Sequence, residues 1–272
     1  MALNRMVVIF VLLLVLSSKG QEAEGMYFMD KDVVRSACYY KPPGSGPFPV
    51  MIYNQATPKP SLETGDAAPF LKLAKFYLTN GYVLFLPGRP ILNPPAEVKK
   101  PSNIVSRPPP ELTDKQLLAA FEGHNENIQS AVRWLKTQSF VDVNQIFMSG
   151  HSSGAIQTVL LAEKDLGIRG HIAFSPAALL WEKRPVLEEA LLRAVKNQKR
   201  PIFLIQPQND FSLHPSIILG PEVATQGKPN RAKIFPAFGR AHAEGNSFAF
   251  NAPEMWGEDV LEFMKECNKP SQ

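Results

Sequence analysis

The chain has 272 residues, of which 44% are hydrophobic and 20% are charged, so it is long enough to bury the core of one large domain. Its formal net charge is +4 and falls to +2 without the first twenty residues, which carry Arg5 and Lys19 and no acidic residue. A net charge this close to zero gives no reason to expect nucleic acid or an anionic membrane as a partner.

The first twenty residues are typical of a cleaved export signal. Arg5 gives a positive start, an eleven-residue apolar run follows, and small residues suit a cleavage site before Gln21. That run is too short to span a bilayer, and an uncleaved anchor is the alternative. We therefore predict a signal peptide over residues 1–20 and a secreted or extracytoplasmic protein with no stable membrane span after signal removal. Residues 21–272 are predicted to form a single domain.

Short apolar segments and helical patterns alternate along the rest of the chain. Strands are predicted at 33–40, 50–53, 82–86, 171–174, 202–205 and 232–235, and helices at 66–78, 113–138 with Thr113 as the cap, 185–197, 217–224 and 258–266. A strand, a helix and a second strand in this order imply a right-handed crossover between parallel strands. We therefore expect an α/β fold with a mostly parallel, twisted sheet and helices on both faces.

The strongest chemical signal lies between residues 143 and 163. An apolar run there ends in GHSSG at residues 150–154 and passes directly into an apolar helical pattern. This is the strand, sharp turn and helix of a nucleophile elbow. Glycines flank the serine because strand and helix backbones crowd together at a strained turn. Ser152 is therefore the candidate nucleophile, and an ordinary Gly-Ser loop is the alternative.

A serine hydroxyl needs a base to take its proton and a carboxylate to orient that base. In an elbow architecture the acid and then the histidine follow the serine along the chain. Asp210 stands just past the carboxyl end of the predicted strand 202–205, where open parallel sheets carry functional groups. Capping of a helix that starts near Pro215 is its alternative role.

The candidate base is His242, because it is the histidine that follows the acid's own loop. It lies after the last predicted strand and before the terminal helix, and a solvated loop histidine is the alternative. His124 is expected to be structural, His151 to pack beside the elbow and His214 to belong to the acid's loop. No His-x₃-His pair or clustered carboxylates with metal-ligand spacing are present, so we predict neither a metal nor a cofactor.

An oxyanion hole requires backbone N–H groups near the nucleophile. We predict the N–H of Ser153 and a second N–H from residues 55–57, with Thr57 as the candidate. Pro58 has no N–H, so the second donor must precede it.

Two cysteines, Cys38 and Cys267, lie near opposite ends of the predicted mature chain. An oxidising compartment would permit a disulfide that ties the first strand to the last helix. Two separate buried thiols are the alternative, and neither arrangement indicates a catalytic cysteine.

Five segments of the predicted mature chain form a pattern that extends over nearly its whole length: PFPVMIYNQ, FVDVNQIFMSGHSSGAIQTVLLAE, HIAFSPAALLW, PIFLIQPQND and KIFPAFGRAHAEGNSFAFNAPEMWGEDVLEFM. In these segments the chain resembles the dienelactone hydrolase-like group of α/β-hydrolases. The resemblance implies the α/β-hydrolase fold, a serine or cysteine nucleophile at the elbow, here Ser152, and an acid at Asp210.

This sequence departs from the group's pattern in two places. The group usually has Asn-His-Gly after the early strand, whereas residues 54–56 here are Asn-Gln-Ala. The group's catalytic histidine usually follows the glycine of the last loop, and that position is Asn246. An amide cannot act as a general base near neutral pH. His242, four residues earlier, would have to take its place; otherwise the triad is incomplete.

Two functions are consistent with these features. The first is a secreted serine hydrolase of the carboxylesterase or lactonase type, which forms an acyl-enzyme on Ser152 with a small-molecule ester or lactone. The second is a catalytically impaired protein of the same fold that binds a small ligand or a protein partner. The elbow and the residue order favour the first, and Asn246 together with residues 54–56 favours the second.

Overall fold

The structure is a computed structural model, and it describes residues 15–18, 21–30, 33–56, 70–88, 113–227 and 229–269. The strands are β1 Val15–Ser18, β2 Gln21–Asp30, β3 Val33–Tyr40, β4 Phe48–Asn54, β5 Val83–Pro87, β6 Val141–His151, β7 His171–Phe174, β8 Ile202–Pro207 and β9 Arg231–Phe235. The helices are α1 Leu71–Thr79, α2 Asp114–Leu135, α3 Ser153–Leu161, α4 Pro185–Lys196, α5 His214–Thr225, α6 His242–Asn246, α7 Phe248–Asn251 and α8 Pro253–Cys267.

The described strands form one sheet in the order β1-β2-β3-β5-β4-β6-β7-β8-β9. From β5 to β9 the neighbours run parallel, whereas β1, β2 and β3 add an antiparallel edge. The strand order reverses at β4, which lies between β5 and β6. Such a switch point opens a crevice at the carboxyl ends of the parallel strands. The predicted α/β class with a mostly parallel sheet is therefore confirmed.

Alternate residues of the central strands face two different helical layers. Met51 and Tyr53 of β4 belong to a core that includes α1, α7 and α8. Val50 and Ile52 of the same strand face the opposite layer, which α2 and α3 help to cover. This period of two places one core on each face of the sheet, with helices outside both.

Most predicted elements are present with small shifts of their ends. Thr113 caps α2 as predicted, because its hydroxyl accepts the Gln116 N–H and the Gln116 side chain accepts the Thr113 N–H. The start of the predicted helix 66–78 lies outside the described residues. The sequence did not predict β1, β2, α6 and α7, and β1 overlaps the predicted signal peptide. Export through residues 1–20 stays a prediction.

No helix within the described ranges is long and apolar enough to cross a membrane. Cys38 and Cys267 are free thiols, so the disulfide considered from the sequence is not formed in this structure. Both side chains pack at the margin of the core with α1 and α8. Burial raises the pKa of each thiol to about 12, which keeps both protonated at neutral pH.

The buried His171 makes the stability of the fold depend on pH. Burial lowers the pKa of His171 to about 3, whereas an unfolded histidine takes up its proton near about pH 6.5. Between these values the unfolded chain binds more protons, so the free energy of unfolding falls as the pH falls, by up to about 1.4 kcal/mol per pH unit.

We expect His171→Leu to flatten this dependence, because the variant has no imidazole that must be protonated on unfolding. Urea denaturation at about pH 7.5 and pH 5 measures the loss of stability in each protein. The variant should lose less free energy over this interval than the original chain, whatever its absolute stability. Equal losses would contradict the assignment.

Candidate active site

Ser152 lies on a strained turn between β6 and α3. Its backbone angles are φ 54° and ψ −120°, a conformation that non-glycine residues rarely adopt and that costs about 1–3 kcal/mol. The Ser152 N–H donates to the Phe174 carbonyl at 3.0 Å, and its own carbonyl accepts the Ala155 N–H at 3.0 Å. Bonds on both sides therefore hold the strained residue in place. The predicted strand, turn and helix of the elbow are all present.

The two glycines of the elbow lie where backbones almost touch. A Cβ atom at Gly154 would lie 2.0 Å from the carbonyl oxygen of Asn54, and one at Gly150 would lie 2.5 Å from the carbonyl oxygen of Gly154. The Asn54 amide also donates to the Thr158 hydroxyl at 3.0 Å. The end of β4 is thus fastened to the start of α3.

His151 packs beside the elbow, as predicted. Its side chain is buried, and its ring stacks on Tyr53 and meets the edge of Phe250. Burial lowers the pKa of His151 to about 4, so the ring is neutral at physiological pH. A neutral, packed ring gives His151 a structural role.

The Asp210 carboxylate is buried at the carboxyl end of β8 and accepts three hydrogen bonds. Oδ1 accepts the backbone N–H of Phe211 at 2.8 Å and the side-chain amide of Asn246 at 3.1 Å. Oδ2 accepts the side-chain amide of Gln206 at 2.7 Å. Asp210 does not cap α5, because Leu213 is the cap residue of that helix. The carboxylate is therefore fixed in one position beside the end of β8 by hydrogen bonds from Gln206, Phe211 and Asn246.

His242 is the first residue of α6 and lies against the backbone beside Asp210. Its Nδ1 atom lies 3.1 Å from the carbonyl oxygen of Asn209 and 3.0 Å from the carbonyl oxygen of Asp210. Its ring centroid is 6.0 Å from that of Phe211. In the described part of the chain, no hydrogen bond joins His242 to the Asp210 carboxylate or to Ser152. The side-chain amide of Asn246 donates a hydrogen bond to that carboxylate instead.

Sequence reasoning assigned no role to Gln206 or Asn209, and both organise this site. Gln206 is a buried polar residue in the otherwise apolar β8, which was a signal available in the sequence. Its amide nitrogen donates to Asp210, and its amide oxygen accepts the Ser216 N–H of α5 at 3.0 Å. Asn209 joins two separate loops, and no local sequence pattern reveals such a contact.

The predicted oxyanion donors are only partly within the described ranges. Ser153 opens α3, and the N–H groups of a first helical turn precede the regular i to i−4 hydrogen bonds. Asn54 pairs with Gly150 in the sheet, so the end of β4 lies next to the elbow. Thr57 lies outside the described residues. Within the described ranges, no group of three or more histidine, cysteine or acidic side chains is placed to hold a metal ion.

Solved structures share this architecture. The uncomplexed acylaminoacyl peptidase of Pyrococcus horikoshii matches with a TM-score of 0.61 and 15% identity, over 93% of this chain and 43% of that chain. The Pyrococcus furiosus esterase Pf2001 matches with a TM-score of 0.60 and 16% identity, over 92% of this chain and 94% of that chain. Est1E from Butyrivibrio proteoclasticus matches with a TM-score of 0.59 and 16% identity, over 89% of this chain and 98% of that chain.

The chain has the α/β-hydrolase fold. It spans less than half the length of the acylaminoacyl peptidase and nearly the whole length of Pf2001 and Est1E. Identities this low establish the fold and nothing finer. No protein-family model and no curated protein matches the sequence.

The contact between Gly154 and Asn54 gives a test of the elbow. We expect Gly154→Ala to lower the free energy of unfolding by about 1–3 kcal/mol, because the added methyl group overlaps a backbone oxygen. Gly123→Ala in α2 is the control, because a Cβ atom there meets no atom within 4 Å. Alanine should raise the stability there by about 0.5–1 kcal/mol, since it is the better helix former. Chemical denaturation measures both, and equal effects would contradict the described packing.

Proposed function

We propose that the chain is a serine hydrolase that cleaves small carboxylic esters or lactones through an acyl-enzyme on Ser152. The observation that carries the proposal is the strained backbone of Ser152 between β6 and α3. Strain of this size persists only where the surrounding structure enforces it, and it concentrates at functional sites. The resemblance of its sequence segments to those of the dienelactone hydrolase-like group is consistent with the same chemistry.

The reaction would proceed in two half-reactions. The Ser152 oxygen attacks the carbonyl carbon of the ester, and the base takes the hydroxyl proton. The N–H of Ser153 and a second N–H from residues 55–57 stabilise the resulting oxyanion. Collapse of this intermediate breaks the bond to the alcohol, which leaves with the proton from the base. Water then attacks the acyl-enzyme by the same route and releases the acid.

His242 is the proposed base. It is the first residue of α6 and contacts the Asp210 backbone, and histidine is the side chain that most often serves as a general base. Hydrogen bonds between nucleophile and base are often long in ligand-free enzymes and shorten when substrate binds. The proposal therefore requires the His242 ring to approach Ser152 in the complex.

We expect Ser152→Ala to lower the kcat/KM for p-nitrophenyl esters by about 10³-fold or more, because it removes the nucleophile. Ser139→Ala is a matched control at an exposed serine, and it should retain the original activity. Far-ultraviolet circular dichroism should show that both variants are folded. Unchanged hydrolysis in folded Ser152→Ala protein would rule out the mechanism.

A second function is favoured by the bond between Asn246 and the Asp210 carboxylate. An amide in this position satisfies the carboxylate but supplies no base. In this alternative the chain retains the fold and binds an ester-like ligand at the carboxyl ends of the strands without turnover. Binding would then survive the Ser152→Ala substitution.

The variant Asn246→His distinguishes the two functions. Residue 246 already lies within hydrogen-bond distance of Asp210, so an imidazole there would be held by the carboxylate. General base catalysis typically contributes about 10²–10⁴-fold to the rate, and we expect ester turnover to rise at least tenfold. Asn246→Gln is the control, because it keeps an amide and should bring no gain.

The activity of the original chain then decides between the two functions. Turnover that depends on Ser152 before the substitution supports the hydrolase. Turnover that exists only in Asn246→His supports the binding function. If Asn246→His leaves ester turnover unchanged, residue 246 does not lie where a base can take the Ser152 proton. That result would contradict the proposed arrangement of the site.

A further inference from the structure

The surroundings of the His242 ring determine which of its nitrogens carries the proton. Nδ1 lies 3.1 Å from the Asn209 carbonyl oxygen and 3.0 Å from the Asp210 carbonyl oxygen. Carbonyl oxygens accept hydrogen bonds and cannot donate them. Nδ1 must therefore be the protonated nitrogen, and Nε2 of the neutral ring keeps its lone pair. This is the tautomer that a general base of a serine hydrolase requires.

We infer that two backbone carbonyl groups orient His242 in place of the Asp210 carboxylate, and that Asn209 is the positioning residue that holds the ring there. The inference rests on the proposed role of His242 as the base. The site would then contain Ser152 and a histidine whose tautomer is set by backbone carbonyl groups. The Asp210 carboxylate would not orient that histidine, as the acid of a triad does.

Asn209 makes three side-chain hydrogen bonds to the loop that carries His242. Its amide nitrogen donates to the carbonyl oxygens of Phe238 and Ala241 at 2.8 and 3.2 Å. Its amide oxygen accepts the N–H of Phe238 at 2.9 Å. These bonds reach the residue immediately before His242. The same side chain therefore anchors the loop whose histidine contacts the Asn209 carbonyl.

Close packing of α6 adds to this restraint. A Cβ atom at Gly245 would lie 2.6 Å from the Asn209 carbonyl oxygen, so the helix backbone approaches that oxygen directly. The four-residue spacing between His242 and Asn246 puts both on one face of α6. The backbone carbonyl group of Asp210 contacts the His242 ring, and the Asp210 carboxylate accepts the Asn246 amide. The carboxylate therefore binds Asn246, whereas the His242 ring contacts backbone carbonyl groups.

Nuclear magnetic resonance of the His242 ring nitrogens tests the inference without any enzymatic assay. A long-range nitrogen–proton correlation at about pH 8 separates a protonated ring nitrogen from one with a lone pair. The resonance is assigned by its absence in His242→Gln. In the original chain we expect neutral His242 to be protonated at Nδ1.

Three variants make the test specific. Asn209→Ala should shift His242 toward a mixture of both tautomers, because the loop loses its three bonds. Asp210→Asn should leave the Nδ1–H tautomer in place, since the contact is with the backbone of that residue. Asn230→Ala is the matched control: Asn230 also joins separate segments, with Oδ1 accepting from Gln198 and from the Ile202 N–H, but it does not contact the His242 loop. It should leave the tautomer unchanged.

Each outcome bears on the inference. Protonation at Nε2 in the original chain, or an unchanged tautomer in Asn209→Ala, would overturn it. A loss of the Nδ1–H tautomer in Asp210→Asn alone would restore the carboxylate as the orienting group. Because the readout is spectroscopic, a correct tautomer in a chain with no Ser152-dependent ester hydrolysis would contradict the proposed function and leave the assignment of Asn209 standing.

Discussion

The close approach of α3 to the end of β4 is the constraint on which the site depends. Where the Gly154 backbone meets the Asn54 carbonyl oxygen there is no room for a side chain. Helix α3 can therefore begin directly beside the sheet, and the chain must turn sharply at Ser152 to enter it. The positive φ of Ser152 follows from this geometry, and neighbouring backbone bonds maintain it. The fold therefore places a strained serine at the carboxyl edge of the parallel sheet.

The second half of the site is built by two loops that meet at Asp210. One follows β8 and carries Asn209 and Asp210; the other follows β9 and leads into α6. The Asn209 side chain of the first loop donates a hydrogen bond to the Phe238 carbonyl of the second, and the Gln206 amide donates to the Asp210 carboxylate. His242 and Asn246 then present an imidazole and an amide to different groups of the same aspartate. The arrangement keeps a buried carboxylate in the loop after β8, and that carboxylate binds an amide and not the imidazole.

The sequence predicted the parts of this structure that depend on local patterns. Apolar runs identified the central strands, helical periods identified the long helices, and the glycines around Ser152 identified the elbow. These signals are local because each records the burial of one face or the crowding of one turn. The segments β1 and β2 were missed because the export-signal pattern and the polar residues that follow it hid them. The short helices α6 and α7 have too few residues to show a period.

The contacts that define the chemistry could not be predicted in this way. Asp210 was found from its position after a strand, but its bond to Asn246 joins residues 36 positions apart. The same holds for the bonds of Asn209 to the His242 loop. Such contacts depend on how two loops pack, and neither loop carries a sequence pattern for its partner. The sequence could therefore identify Asn246 as a departure, while the structure shows what that residue does.

The central claim is that Ser152 is an activated nucleophile with His242 as its base. A fluorophosphonate probe reacts covalently with such serines, and mass spectrometry of the digested protein identifies the modified peptide. The mechanism predicts a single adduct on Ser152 that is absent in Ser152→Ala and greatly reduced in His242→Ala. Folded protein that takes up no probe at Ser152, or a Ser152 adduct formed equally well without His242, would contradict it.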